Sequence, residues 1–486
     1  MSNPFKKLLG QTAIYGLSSI VGRLLNYLLV PLHLAFFDHP SDYGVLSELY
    51  AWVAFLIVLL TFGMETSFFR FLQNSDDQEK VFRNAFASLI GINLLYYIAL
   101  LFFNQGIADA MLFSEHNEYI ILLGTIVAID AVSALPLAKL RAEEKAKKFA
   151  LIQFSSIMTN VVLNIFFLMV FFDASRPEEG ILFILFANLI SSLVKPLLLY
   201  KDFLKINWNL DFTLIREMFI YAFPLVIAGF AGIINETMDR ILLKFTLYDG
   251  ITPESLIDAE AQVGIYSANY KLAMLVTILI QAYRYAAEPF FFAQLKNQDR
   301  QLVYRKVMNY FIAAVCLVFL GVSLNIDIFK YFVNNENYWE GLKVIPILLL
   351  ANVFLGIYIN QSIWYKLSNQ TRFGAYIAIC GAVLTLLINL IFIPFYGYMA
   401  SAWATLIVYA SQMVASYFLG QKFYPIKYNV RKFFLYLISA LMLFAFARIL
   451  DLEQPTIRFV VHNLMIGLYI WLVYTMERAS FKSGNG

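Results

Sequence analysis

Charged and amide side chains interrupt an apolar run of this sequence between residues 261 and 290 at helical spacing. Steps of three and four residues place them on one face of an α-helix. This stripe comprises Lys271, Met274, Thr277, Gln281, Arg284 and Glu288. A lysine and an arginine on such a face can bind an anionic group, while a glutamine can hydrogen-bond hydroxyls. Lys271, Gln281 and Arg284 are therefore candidate ligands for an anionic substrate, although Arg284 and Glu288 can also pair locally.

A second polar face lies near the N-terminus, where Arg23 and Asn26 follow Tyr15 and Ser19 at helical spacing. The planar guanidinium of arginine binds phosphate oxygens in pairs and stays charged. Arg23 and Asn26 are thus candidate ligands for a diphosphate. The alternative is that Arg23 pairs with a buried carboxylate elsewhere in the chain, and the sequence leaves both open.

Asp130 is the acid in the middle of the apolar run 117–138, in which Glu118 stands near the start. A carboxylate there can bind a coupling ion, or it can be a structural group that is satisfied by a partner. With 4 His and 2 Cys in the chain, we expect no metal site and no cofactor. Cys316 and Cys380 fall in apolar runs and are expected to be small core residues without a disulfide. No P-loop motif is present, and neither ATP hydrolysis nor nucleic-acid binding is expected.

Composition requires that these charges lie in a membrane protein. Of the 486 residues, 60% are hydrophobic and 14% are charged. Soluble domains have about 45–50% apolar and about 25% charged residues, so this chain cannot cover a water-facing surface. Lys6 and Lys7 precede an apolar run that reaches Phe37 without a small-residue cleavage site. We interpret that run as a first membrane helix and not as a signal peptide.

Apolar segments of about 20 residues predict an all-α, polytopic membrane protein with about fourteen transmembrane helices. The predicted helices lie near 8–36, 43–68, 84–104, 117–138, 149–172, 180–200, 214–245, 261–290, 306–326, 342–365, 373–394, 397–420, 431–450 and 457–476. Every second connection is rich in Lys and Arg, whereas the connections 37–42, 104–117 and 395–397 have none. Basic loops favour the cytoplasmic side, so both termini are expected there.

The sequence also resembles itself at a nearly constant offset. The pattern G-x-x-S-x-x-Y occurs at Gly44 and again at Gly264, where 264 − 44 = 220, and Asn164 and Asn389 are similarly matched at 389 − 164 = 225. A repeat of six helices predicts two lobes of the same orientation, with two extra C-terminal helices. The predicted divisions are 1–205, 206–425 and 426–486, with a substrate path between the lobes.

These motifs resemble the polysaccharide flippase family, within the superfamily that also contains lipid II flippases and multidrug and toxin extrusion transporters. The matching segments are 15–16, 22–23, Asn26, Pro31, 42–44, 221–224, 239–240, 263–271 and 393–405. The chain departs from the family's frequent Gly-Ala-Ala in having Met399-Ala400-Ser401-Ala402 in the last motif. The matched residues are mostly small or turn-forming, so they indicate the fold better than the substrate.

The resemblance implies a flippase that carries an undecaprenyl-diphosphate-linked oligosaccharide from the cytoplasmic to the outer leaflet of a bacterial inner membrane. Surface polysaccharide, such as lipopolysaccharide, would be the end product. Membrane lipid is an expected partner, a glycan polymerase is a candidate partner, and the chain is expected to be a monomer. The main alternative is an ion-coupled small-molecule or multidrug antiporter on the same fold. A membrane enzyme and a scaffold are further rivals, but the outside loops are short and carry no His–acid cluster.

Overall fold

The computed structural model describes residues 21–22, 24–73, 75–204, 209–293, 299–450 and 452–482. Within these ranges the structured segments are helical. They are α1 (Leu24–Phe36), α2 (Pro40–Thr61), α3 (Met64–Leu72), α4 (Gln78–Ala110), α5 (Asn117–Ala142), α6 (Ala146–Phe171), α7 (Pro177–Leu204), α8 (Phe212–Leu247), α9 (Pro253–Ala293), α10 (Arg300–Leu324), α11 (Ile326–Phe329), α12 (Ile345–Gln361), α13 (Ile363–Leu367), α14 (Arg372–Tyr396), α15 (Tyr398–Phe423), α16 (Val430–Leu450) and α17 (Pro455–Lys482). Two 3₁₀ segments, Lys330–Phe332 and Glu336–Val344, precede α12.

The described part of the chain has 13 helical segments that are long and apolar enough to cross a membrane, and a shorter apolar helix, α1. The prediction of an all-α, polytopic membrane protein is therefore confirmed. Most of the predicted first helix, 8–36, lies outside the described residues. The predicted second helix is broken, because Phe62 and Gly63 adopt left-handed backbone conformations with φ of 46° and 63°. Glycine tolerates this conformation without steric cost, so α2 ends there and α3 begins.

Contacts between residues group the chain into two compact units, 1–264 and 265–486. The first contains α8, which the repeat assigns to the second lobe. The lobe divisions at 205 and 425 remain predictions.

Within the first unit, the basic connections meet at one end of the helix bundle. Lys80 pairs with Asp211 at 2.8 Å, and Lys139 pairs with Glu79 at 2.8 Å. These contacts join the starts of α4 and α8 to the end of α5. Asp211 caps α8, and its pair with Lys80 and its bonds from the backbone lower the pKa of its carboxyl. Alternate connections therefore share one end, as the predicted topology requires.

The opposite end of the first unit holds the poorly basic connections. Tyr119, at the start of α5, donates its hydroxyl to the Glu178 carbonyl oxygen at the start of α7 at 3.1 Å. In the second unit, too, alternate connections contact each other. Gln301, at the start of α10, donates to the Pro425 carbonyl oxygen, after α15, at 2.9 Å. Arg458, at the start of α17, pairs with Asp327, after α10, at 2.8 Å.

Candidate functional site

The helix α9 carries the predicted polar stripe and has two unlike faces. Its apolar residues Leu272, Ala273 and Val276 are fully buried. Asn352 of α12 donates to the Ala273 carbonyl oxygen at 2.8 Å, which fixes that face against α12 within the second unit. By contrast, the stripe residues Lys271, Gln281 and Arg284 are half-buried or exposed. The polar stripe of α9 therefore lies on a less covered side of the helix than Leu272, Ala273 and Val276, and Leu279 is exposed as well.

The side chain of Glu288 is not among those described, so its predicted pairing with Arg284 stays a prediction. Arg284 is exposed and Lys271 is half-buried, and both interact with other groups of the protein.

Of the first polar face, Arg23 lies outside the described residues, and Asn26 lies on α1. The Asn26 side-chain oxygen accepts a hydrogen bond from Asn160 of α6 at 3.4 Å. Asn160 in turn accepts from Asn164 at 2.9 Å, and the Asn164 oxygen lies 3.0 Å from the Nε2 atom of His33. Asn26 thus forms the exposed end of a polar seam that joins α1 to α6.

Asp130 has a partner on the neighbouring helix. The Nζ atom of Lys195 on α7 lies 2.8 Å from Oδ1 of Asp130, and both side chains are largely buried. This is the arrangement that the structural alternative predicted for Asp130. Its proposed role in ion coupling stays a prediction, but the proton or ion would have to compete with Lys195.

The family-matched residues Asp239 and Arg240 form a charged pair on α8. The Arg240 guanidinium pairs with the Asp239 carboxylate at 3.0 Å and donates to the main-chain oxygen of Glu236 at 2.9 Å. The i, i+4 contact therefore runs through the backbone of Glu236, whose side chain is exposed. Asp239 and Arg240 are both buried, so they neutralise each other within α8.

Two fully buried charges among the described residues of the first unit, Glu48 and Lys244, were not predicted from the sequence. The Lys244 ammonium of α8 is fully buried and lies 3.0 Å from Oε2 of Glu48 on α2 and 3.1 Å from Oε1 of Glu260 on α9. We call Glu48, Lys244 and Glu260 the charge cluster. A buried lysine is tolerated only with charged or hydrogen-bonding partners, and here three helices supply them.

Further contacts close the charge cluster. Lys244 donates to the Met111 carbonyl oxygen at 3.2 Å and lies 3.6 Å above the ring of Phe113. Trp52, one turn along α2, donates its indole N–H to Oε1 of Glu48 at 3.1 Å. The cluster thereby ties α2, α8 and α9 to the connection between α4 and α5.

A short turn at 248–252 brings α8 and α9 side by side at the charge cluster. The Asp249 carboxylate accepts hydrogen bonds from the backbone N–H groups of Thr252 and Ile251. These bonds stabilise the ionised form and lower the pKa of Asp249 to about 2. The turn therefore keeps its charge, and its hydrogen bonds, throughout the physiological pH range.

Nothing in the described side chains suggests a metal centre. No group of three or more His, Cys, Asp or Glu is arranged to hold a metal ion among the residues searched. Cys316 is buried and Cys380 is exposed, and both are free thiols. Cys316 is a core residue as predicted, whereas Cys380 lies on the surface of α14.

Comparison with known proteins identifies the family of this sequence. The sequence profile described as polysaccharide biosynthesis protein matches residues 8–295. The chain belongs to this family. The match agrees with the resemblance inferred from the sequence motifs.

Solved structures place this polysaccharide biosynthesis protein in a known fold. The lipid II flippase MurJ in an inward closed conformation aligns with a TM-score of 0.72 at 14% identity, covering 94% of this chain and 98% of MurJ. An inward-facing multidrug resistance transporter of the MATE family in the MOP superfamily aligns with a TM-score of 0.64 at 15% identity, covering 82% and 93% of the two chains. At these identities the likeness shows the fold alone.

A curated relative is also similar over part of its length. Protein 1 of the Lsg locus of Haemophilus influenzae is 26% identical over 162 residues, which cover 32% of this chain. The match spans 37% of that relative.

Proposed function

We propose that this protein is a flippase that moves a lipid-linked oligosaccharide of the undecaprenyl-diphosphate type from the cytoplasmic to the outer leaflet of a bacterial inner membrane. The family and the flippase-like fold support a transporter that takes no part in covalent chemistry. Surface polysaccharide synthesis is the pathway that such a substrate serves.

The observation that carries the proposal is the position of the polar stripe on α9. Leu272, Ala273 and Val276 are fully buried within the second unit, whereas Lys271, Gln281 and Arg284 occupy a less covered side of the helix. In a membrane, a cationic and amide-bearing face has to meet water, substrate or protein. Two cations on one such face suit an anionic head group.

The cationic and the amide side chains contact different parts of the substrate. Arg284 and Lys271 bind the diphosphate oxygens, and Arg23 is the proposed third cation. Gln281 and Asn26 offer amide groups to sugar hydroxyls. The isoprenoid tail stays in the lipid, because moving it through a hydrated path would cost about 0.8 kcal/mol per exposed CH₂ group.

Orientation and partners complete the proposal. With the basic connections in the cytoplasm, both termini are cytoplasmic. The protein acts as a monomer, and a glycan polymerase receives the flipped substrate. Asp130 remains the candidate for ion coupling, with Lys195 as its resting partner.

The alternative is an ion-coupled small-molecule antiporter, which the structural likeness to a MATE family transporter favours. A cationic drug would meet repulsion from Lys271 and Arg284 on the open face of α9. An anionic glycolipid head group would be attracted by the same charges.

A complementation experiment in the native organism tests the proposal. Deleting the gene should strand completed lipid-linked oligosaccharide on the cytoplasmic leaflet and reduce surface polysaccharide. The wild-type chain and a Lys422→Ala control, which removes an exposed lysine at the end of α15, should restore export. The Lys271→Ala/Arg284→Ala double variant should not restore it at equal membrane abundance. Normal surface polysaccharide in the deletion strain, without accumulated precursor, would contradict the proposal.

A further inference from the structure

With all three groups ionised, the charge cluster would carry one more negative than positive charge. Glu48 and Glu260 supply two carboxylates, and Lys244 supplies one ammonium within 3.0 and 3.1 Å of them. Lys244 and Glu48 are fully buried, and Glu260 is 9% exposed. A buried net charge is costly, and adding one proton to either carboxylate removes it while leaving one ion pair intact.

The backbones of α2 and α9 are also in close contact at this place. An added Cβ at Gly44 would overlap the Glu260 carbonyl oxygen, and one at Gly264 would overlap the Pro40 carbonyl oxygen. Glu48 lies one helical turn after Gly44, and Glu260 lies one turn before Gly264. The backbones therefore meet without side chains between them, and the charge cluster sits directly on this crossing.

Other titratable and charged groups lie around the charge cluster. They are His39, Asp42 and Tyr43 at the start of α2, His116 and Tyr119 at the start of α5, Glu178 at the start of α7, and the Asp239–Arg240 pair on α8. Asp239 and Arg240 pair with each other at 3.0 Å. Among the described ion pairs, Glu48 and Glu260 share the single Lys244 ammonium.

We propose that the charge cluster is a proton-regulated latch. It holds the adjacent ends of α2, α8 and α9 together while it carries one proton, and it releases them when the proton leaves. In the closed form one carboxyl is neutral, and the other pairs with the Lys244 ammonium. On opening, water hydrates all three groups, and the neutral carboxyl returns its proton to water.

The number of protons bound in the closed and open forms gives the direction of the pH dependence. Because the closed form holds one more proton than the open form, acid favours closing and base favours opening. One proton of difference changes the ratio of closed to open molecules by up to about tenfold per pH unit. Asp249 contributes nothing to this response between pH 5.5 and 8.5, because its pKa is about 2.

Thiol accessibility measures the latch without any substrate. The background variant lacks both native thiols, through Cys316→Ala and Cys380→Ser. A single Ser47→Cys substitution then places one thiol at a buried position of α2, next to Glu48. The purified full chain is labelled with a small polar maleimide from pH 5.5 to 8.5. A Ser114→Cys control, in the exposed connection before α5, corrects for the intrinsic pH dependence of thiolate reactivity. The corrected labelling rate at Ser47→Cys should fall as the pH falls.

Variants that change the charge of the cluster show whether the pH dependence of labelling comes from the latch or from a general effect of acid on the protein. Glu260→Gln neutralises the excess charge without a proton, so its labelling should be slow and independent of pH. Exchanging Glu48→Lys with Lys244→Glu keeps the net charge and should keep the pH response. Glu477→Gln, a buried carboxylate paired with Lys432 in the second unit, should leave the response unchanged. The same holds for His116→Asn and His39→Asn.

Two outcomes would overturn the latch. The first is a corrected labelling rate at Ser47→Cys that does not change with pH. The second is a wild-type pH response in Glu260→Gln, or its loss in His116→Asn or His39→Asn. Because the readout needs no glycolipid, a failed latch and a failed flippase proposal are distinguishable.

Discussion

Gly44 of α2 and Gly264 of α9 pack reciprocally, each against the carbonyl oxygen of the residue four positions before the other. A Cβ on Gly44 would overlap the oxygen of Glu260, and a Cβ on Gly264 would overlap the oxygen of Pro40. These two glycines are also the positions that the internal repeat matches at 264 − 44 = 220. Small residues let membrane helices approach closely, so the pair sets the distance between α2 and α9.

The first prediction concerns this helix crossing. Gly44→Ala and Gly264→Ala should each lower the free energy of unfolding by about 1–3 kcal/mol, because the backbones must separate to admit a methyl group. Thermal unfolding of the purified protein in detergent measures the loss. Gly232→Ala is the matched control, since an added Cβ on that helical glycine meets no atom within 4 Å. It should be neutral or stabilising by about 0.5–1 kcal/mol, and equal behaviour of all three variants would refute the account of the crossing.

The second prediction concerns the buried asparagines that the repeat matches. Asn164 donates to the Asn160 carbonyl oxygen at 2.8 Å, and Asn389 donates to the Thr385 carbonyl oxygen at 2.8 Å. Replacing either by alanine removes a buried bond and should cost about 1–3 kcal/mol of unfolding free energy. Asn104→Ala, at the exposed end of α4, should change it by less than about 0.5 kcal/mol. Unchanged melting of Asn164→Ala or Asn389→Ala would show that the buried bonds are not stabilising.

The third prediction concerns Asp130 and Lys195. Breaking a largely buried pair leaves one charge without its partner, so Asp130→Asn should destabilise the protein by about 1–3 kcal/mol. The Asp130→Asn/Lys195→Met double variant should lose less than the sum of the single variants, which a double-mutant cycle on thermal unfolding measures. If Asp130→Asn is as stable as wild type but loses its dependence on an ion gradient, then Asp130 is a coupling residue.

The fourth prediction concerns the orientation of the chain. Single cysteines at Lys145 and Arg300, in basic connections, should resist a membrane-impermeant thiol reagent in intact cells. Cysteines at Asp249 and Ser114 should react with it, because those connections have few basic residues. Disruption of the membrane should make all four reactive. Protection of the second pair together with labelling of the first would invert the topology.

Hydropathy predicted most of the helices well, because lipid demands long apolar segments whatever their tertiary partners. It placed the start of α9 at 261 instead of Pro253, since Glu254, Asp258 and Glu260 are charged and resemble a loop. Glu260 is helical and buried because Lys244 neutralises it. That pairing depends on tertiary packing and leaves no periodic signal in the sequence.

The residues of the candidate site could be predicted where their spacing along one helix was enough to place them on the same face. The stripe on α9 follows from steps of three and four residues, and the structure places Lys271, Gln281 and Arg284 on the less covered face. Asp130 looked isolated because its partner Lys195 is 65 residues away on α7. The charge cluster joins residues from three helices, and only the repeat-matched glycines next to Glu48 and Glu260 marked its location.

The central claim is that this protein flips an anionic, lipid-linked oligosaccharide. The most direct measurement reconstitutes the purified chain in vesicles and follows leaflet exchange of a labelled undecaprenyl-diphosphate oligosaccharide under imposed proton and sodium gradients. We expect exchange well above that of empty vesicles, with a loss of at least about tenfold in Lys271→Ala/Arg284→Ala if the lost contacts amount to about 1.4 kcal/mol or more. Exchange no faster than in empty vesicles, with gradient-driven efflux of a small cation from the same preparation, would contradict the flippase and support the antiporter.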